Sequence, residues 1–106
     1  MTALTTEQID EKLQQHALWR LEGERLAIDL QFSDFNDAWQ FMNHVAVCAE
    51  AQDHHPNWYN VYGTVQIRLS THDAKGITER DFRLVESIDQ YLQSHPYQVL
   101  PPTPFS

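Results

Sequence analysis

The chain has 106 residues, with 15 acidic residues against 7 basic ones and a formal charge of −8. That is one domain's worth of chain, long enough to bury a core without disulfides or a structural metal. The few basic residues form no run, which excludes a phosphate-tracking nucleic-acid surface, and one cysteine, Cys48, excludes an intramolecular disulfide or a thiolate metal cage.

The opening "MTALTTEQIDEKLQQ" lacks the basic start and apolar run of a secretory leader. No apolar stretch approaches the length of a membrane span, so a soluble, cytoplasmic protein with no membrane partner is expected. Within that opening, Thr5 as N-cap and Gln8 three residues on spell a capping box, with Leu4 and Ile9 placed as a hydrophobic staple. A short helix follows, with Ile9 and Leu13 facing inward.

"WRLEGERLAIDLQF" reads as a hairpin turning at Glu22-Gly23-Glu24. Leu26, Ile28, Leu30 and Phe32 alternate with Ala27, Asp29 and Gln31, the period of a half-buried strand with a polar outer face. The period then changes. In "SDFNDAWQFMNHVAVCAEAQ", Phe35, Ala38, Trp39, Met42, Val45, Ala46 and Ala49 recur at helical steps. Ser33 is placed as the N-cap and Asp34 in the first turn. Phe41 and Val47 widen the apolar surface beyond one stripe, enough to meet another subunit. Cys48, on this helix, reads as a packed thiol.

A second hairpin spans Asn57 to Val61 and Thr64 to Thr71 around Tyr62-Gly63. Lys75-Gly76 turns the chain, and Thr78 caps a last helix whose inner face is Ile77, Phe82, Val85, Ile88 and Leu92. That helix must stop before Pro96. The expected order is α-β-β-α-β-β-α: an α+β fold with a four-stranded antiparallel sheet and helices packed on one face. Residues 1–96 form the single domain, and 97–106 form a Pro-rich tail, extended or disordered and outside the core.

Four features carry chemistry: Glu50 near the end of the long helix, His54-His55-Pro56 after it, His72 after the fourth strand, and Asp81 at the start of the last helix. His16, His44 and His95 read as ordinary surface histidines. Taken alone, Asp81 is also a good first-turn acid and Glu50 a solvated helix residue. Three histidines and a carboxylate could bind zinc, but adjacent histidines tend to diverge and the recognised zinc spacings are absent, so no metal is expected. Imidazole titrates near neutrality without help, and two histidines can act at two points on one substrate, one giving a proton and one taking it. Trp58 and Tyr59 could wall a flat ring, although both equally suit strand and core positions. No phosphate loop, dinucleotide fingerprint or serine elbow is present.

The stretch "AEAQDHHPNWYNVYGTVQIRLSTHDAKGITERD", residues 49–81, resembles the signature region of the pterin-4a-carbinolamine dehydratases. The pattern is a Glu, three residues, His-His-Pro, an aromatic strand, then Thr-His and Gly-Ile-Thr…Asp; the order of elements is also similar. The resemblance implies that His54, His55, His72 and Asp81 form the catalytic set, with His54 and His72 as the principal proton-transfer groups. Glu50 matches the acid ahead of the histidine pair and is expected to bind substrate, as are Trp58 and Tyr59 in their reading as walls for a flat ring. The resemblance implies dehydration of a 4a-hydroxytetrahydropterin to a quinonoid dihydropterin without metal or organic cofactor, in pterin recycling for aromatic amino acid hydroxylation. A homodimer or homotetramer is expected, with an aromatic amino acid hydroxylase as a possible partner. The alternative is a non-catalytic pterin-binding protein, or a dimerisation or regulatory partner of a hydroxylase or transcription factor, since animal members of the family partner a homeodomain transcription factor.

Overall fold

Both expected helix starts with a Thr cap are built as capping boxes. In the computed structural model, which describes residues 2–104, Gln8 N donates to Thr5 Oγ1 and Thr5 N donates to the Gln8 side chain, opening α1 (Thr6–Leu13). Thr78 and Asp81 do the same for α3 (Glu79–Leu92). The long helix α2 (Phe35–Gln52) begins one residue later than expected: Asp34, not Ser33, is the N-cap and accepts from Asp37 N at 2.8 Å. Ser33 instead donates to the Asp37 carboxylate, which leaves Asp34 as the residue with the extended backbone a cap needs.

The strands are β1 (Arg20–Glu22), β2 (Arg25–Gln31), β3 (Asn57–Val61) and β4 (Thr64–Leu69), all paired antiparallel in the order β1-β2-β4-β3. At the second hairpin, Tyr62 takes the left-handed conformation (φ 51°). Gly63 is needed for a different reason: a Cβ there would lie 2.4 Å from the Phe32 carbonyl oxygen. Leu26, Ile28 and Leu30 of β2, with Phe32 just after it, join Val65, Ile67 and Leu69 of β4 in one core with residues of α2 and α3. The α+β architecture is therefore as expected. No helix among the described residues is long and apolar enough to cross a membrane.

Two features differ from the sequence reading. On α2 the buried stripe is Ala38, Phe41, Met42, Val45 and Ala49, while Phe35, Trp39 and Val47 stay exposed. Apolar residues surround this helix, so its phase is set by the sheet it lies on rather than by its own pattern. The tail also adds a fifth strand: β5 (Gln98–Val99) pairs with β2 opposite Leu30 and Gln31.

The tail also changes the outer face of the sheet. Asp29, read on a polar outer face, is buried, together with Gln66 and Arg68 of β4. Asp29 binds Arg68 and Arg20, each at 2.9 Å, and accepts from Thr103 N at 3.2 Å. The Thr103 carbonyl accepts from Arg68 at 2.7 Å and from Gln66 at 2.8 Å. Burial raises the pKa of Asp29, but hydrogen bonds from Arg68, Gln66 and Thr103 overcome it, and the carboxyl titrates below its ordinary range.

A depressed carboxylate contributes stability above its unfolded pKa, and that contribution is lost as pH falls through the folded value. Asp29→Asn leaves the buried Arg68 guanidinium, and the partly exposed Arg20, sharing Glu22 as counter-charge and should cost about 3–5 kcal/mol at pH 7. Urea unfolding followed by circular dichroism should show the gap to wild type shrinking below about pH 4. An equal gap at pH 7 and pH 3 would contradict the assignment.

Candidate active site

Helix α2 ends in a Schellman motif. Asp53 takes the left-handed conformation (φ 49°), its N–H bonding to the Glu50 carbonyl, while His54 N donates to the Ala49 carbonyl at 3.0 Å. Asp is one of the few residues that adopts this conformation without glycine's freedom. The reversal separates the two adjacent histidines: His54 turns inward and is 7% exposed, whereas His55 stays outside.

His54 Nε2 lies 2.5 Å from Asp81 Oδ1. Asp81, fully buried at the N-terminus of α3, also accepts from Thr71 Oγ1 and from Thr78 N, both at 2.9 Å through Oδ2. The carboxylate accepts, so Nε2 of His54 carries the hydrogen and Nδ1 is left as the lone-pair nitrogen of the neutral ring. Among the described residues Nδ1 has no hydrogen-bond partner, yet it is not one of the buried unsatisfied atoms. It is the polar edge of the ring that meets the outside.

His55 repeats this arrangement in the open, with Nε2 2.7 Å from Glu50 Oε1 and both side chains more than half exposed. The two pairs have similar lengths and different burial, so they differ in rigidity. His72 begins a short 3-10 turn (His72–Ala74) whose end is closed by Lys75 in the left-handed conformation. Its exposed ring borders a hollow of about 730 Å³, which the β1–β2 turn lines on one side and Thr71, His72 and Lys75 on the other. That volume is within the usual range for small-molecule sites.

The expected site residues are thus brought together unevenly. His54 and Asp81 are in contact, and Thr71 links Asp81 to the His72 loop. Glu50 and His55 form their own pair. Trp58 pairs with Ile67 and packs against the core, on the sheet face the helices cover. Tyr59 pairs with Gln66 and points to the other face, so the two aromatics do not wall one pocket together. Thr71 enters the sequence pattern only as the neighbour of His72 in Thr-His, with no role of its own; no periodicity or cap marks it, and its role depends on an isolated bridge to Gly76. The Thr78 contribution was legible as T-x-x-D, which already folds the Asp81 side chain back onto the helix start.

A family-wide profile described as pterin 4 alpha carbinolamine dehydratase matches residues 2–91. A protein of Christiangramia forsetii, provisionally named a pterin-4-alpha-carbinolamine dehydratase, is 42% identical over 94 residues, covering 89% of this chain and 97% of its own. A similarly named protein of Burkholderia lata is 48% identical over 89 residues, covering 82% of this chain and 87% of its own. A crystal structure from Brucella melitensis, described as a transcriptional coactivator/pterin dehydratase, superposes with a TM-score of 0.81 at 34% identity. It covers 84% of this chain and 97% of the other.

The contrast between the two histidine–carboxylate pairs is measurable. Asp81→Ala strands three buried donors and should cost about 2–4 kcal/mol. Glu50→Ala breaks an exposed pair and should change stability by less than about 0.5 kcal/mol. Urea denaturation of the two variants checks both values.

Proposed function

The chain belongs to the pterin 4 alpha carbinolamine dehydratase family, and from that premise we propose that it removes water from a 4a-hydroxytetrahydropterin by histidine acid–base catalysis. The observation that carries this reading is the buried His54–Asp81 contact, which leaves Nδ1 of His54 as the free nitrogen. A neutral-pH dehydration needs one group to protonate the departing hydroxyl and another to remove a proton from the ring system. The C4a–O bond breaks, the electrons of N5 form the C4a=N5 bond, and the N5 proton leaves. The products are water and a quinonoid dihydropterin.

His54 and His72 are the proton-transfer groups in this reading. His54 is held by Asp81 in one tautomer, and its Nδ1 can take or give a proton. His72, on an exposed loop that borders the hollow, is the second group in this reading. His55, paired with Glu50, holds or polarises the ring. The reaction itself calls for no redox step and no external electrophile, so protein groups are sufficient for it.

A second reading, docking to another copy of the chain or to a protein partner such as a hydroxylase or transcription factor, is favoured by one observation. Phe35 and Trp39 stack at 6.0 Å on the outside of α2, both about half exposed. The two readings are compatible, because this face lies on the body of α2 and the histidines follow its C-terminal end.

The direct test follows 4a-hydroxytetrahydropterin dehydration against the unaided reaction. His54→Ala and His72→Ala should each lower turnover by about 10²–10⁴-fold in protein shown to be folded. Turnover within about twofold of wild type for both variants would remove the acid–base assignment, since positioned groups of this kind are worth far more.

A further inference from the structure

Thr71 is buried, precedes His72 directly, and touches the His54 system through its side chain. Its hydroxyl has one hydrogen and two oxygen neighbours, Asp81 Oδ2 at 2.9 Å and Thr78 Oγ1 at 2.7 Å. Thr78 Oγ1 already accepts from Arg80 N at 3.2 Å, so its own hydrogen is free to go to Thr71 and the Thr71 hydrogen to the carboxylate. A chain of one direction results: Thr78 to Thr71 to Asp81 Oδ2, with the His54 Nε2 hydrogen on Oδ1.

The main chain of the same residue does a separate job. Thr71 N donates to the Gly76 carbonyl at 2.8 Å, and its carbonyl accepts from Ala74 N at 3.1 Å and Gly76 N at 3.4 Å. These bonds close the loop that carries His72. One residue therefore ties the His72 loop to the start of α3, where Asp81 holds His54.

We propose that Thr71 is the positioning residue that sets His54 and His72 in a common frame, its hydroxyl orienting Asp81 and through it the His54 ring, its main chain closing the His72 loop. This rests on the dehydratase reading. The hydroxyl is the part that side-chain substitution can address. Thr71→Val keeps the bulk and removes the donor, so Asp81 Oδ2 retains only Thr78 N and the carboxylate is free to turn. Thr71→Ser keeps the donor and loses a methyl group.

Two measurements on folded wild type, Thr71→Val and Thr71→Ser test the proposal. Without substrate, ¹⁵N NMR of the imidazoles at a pH where His54 is neutral should show the Nε2–H tautomer in wild type and Thr71→Ser, and a tautomer mixture in Thr71→Val. In the dehydration assay, Thr71→Val should lower kcat by about 10–100-fold with KM changed less than about threefold, the usual scale for a residue that orients a catalytic ligand. Thr71→Ser should stay within about threefold of wild type. A Thr71→Val protein with the wild-type tautomer and rate overturns the proposal. So does a Thr71→Ser protein as slow as Thr71→Val, because the hydroxyl would then not be what matters. If wild-type protein fails to accelerate dehydration while the tautomer shift is seen in Thr71→Val, the positioning of His54 stands and the dehydratase reading falls.

Discussion

One buried carboxylate joins the parts of this site. Asp81 is the N3 residue of a capping box, so its side chain is committed to the first turn of α3 for reasons of helix stability alone. In that position it also receives the Thr71 hydroxyl from the loop after β4 and the His54 ring from the turn after α2. Three segments distant in sequence meet at two oxygens. Any conformation that satisfies these donors holds His54 in one tautomer, and a conformation that fails to satisfy them leaves polar groups stranded in the interior. The stability of the helix start and the orientation of the imidazole are consequences of the same bonds.

A second buried carboxylate, Asp29, organises the opposite face of the sheet. It sits between Arg20 and Arg68 and is roofed by Thr103. Both carboxylates are buried with their acceptor capacity used, but in different ways. Asp29 faces two guanidinium groups, and hydrogen bonds from Arg68, Gln66 and the Thr103 N–H pull its titration downward against the cost of burial. Asp81 faces an imidazole, a hydroxyl and a main-chain N–H, with no Arg or Lys bonded to it among the described residues. The first arrangement suits a fixed ion pair and the second a group that shares hydrogens with a titratable ring. The sheet separates them, since Asp29 and Arg68 occupy the face away from Ile28 and Ile67.

Local rules carried most of the fold. A capping box at Thr5, a cap at Thr78, period-two strands and the break before Pro96 are short-range signals, and each reappears in the structure. The parts that were not legible depend on contacts between distant segments. Asp29 looked solvent-facing because nothing local says that residues 98–103 return to cover it and its partner Arg68. Phe41 and Trp39 exchanged places, inside and outside, because a helix with apolar residues on most sides has no phase of its own. Trp58 and Tyr59 are a different case: adjacent strand residues face opposite ways, so their separation follows from alternation alone. The histidine pair and Asp81 stood out through a long-range pattern; Thr71 belongs to the same pattern as the residue before His72, but nothing local to it says that its hydroxyl reaches Asp81.

The three histidines of the pattern are not equivalent, and the difference is one of constraint. His54 is buried and bound to a carboxylate that is itself bound three ways. His55 is bound to a carboxylate that is itself exposed. His72 is exposed on a short turn, with Lys75 in the left-handed conformation at its end. A dehydration in which the substrate enters, loses water and departs makes unequal demands on its acid–base groups. One must hold its geometry while the ring is held against it, since misplacement of a proton-transfer group by about an ångström costs orders of magnitude in rate. Another must stand where the substrate arrives and the water leaves, and burial would obstruct that. In the proposed reading His54 has the first environment and His72 the second, and Thr71 lies between them, its side chain on the carboxylate that binds His54 and its main chain closing the loop that carries His72.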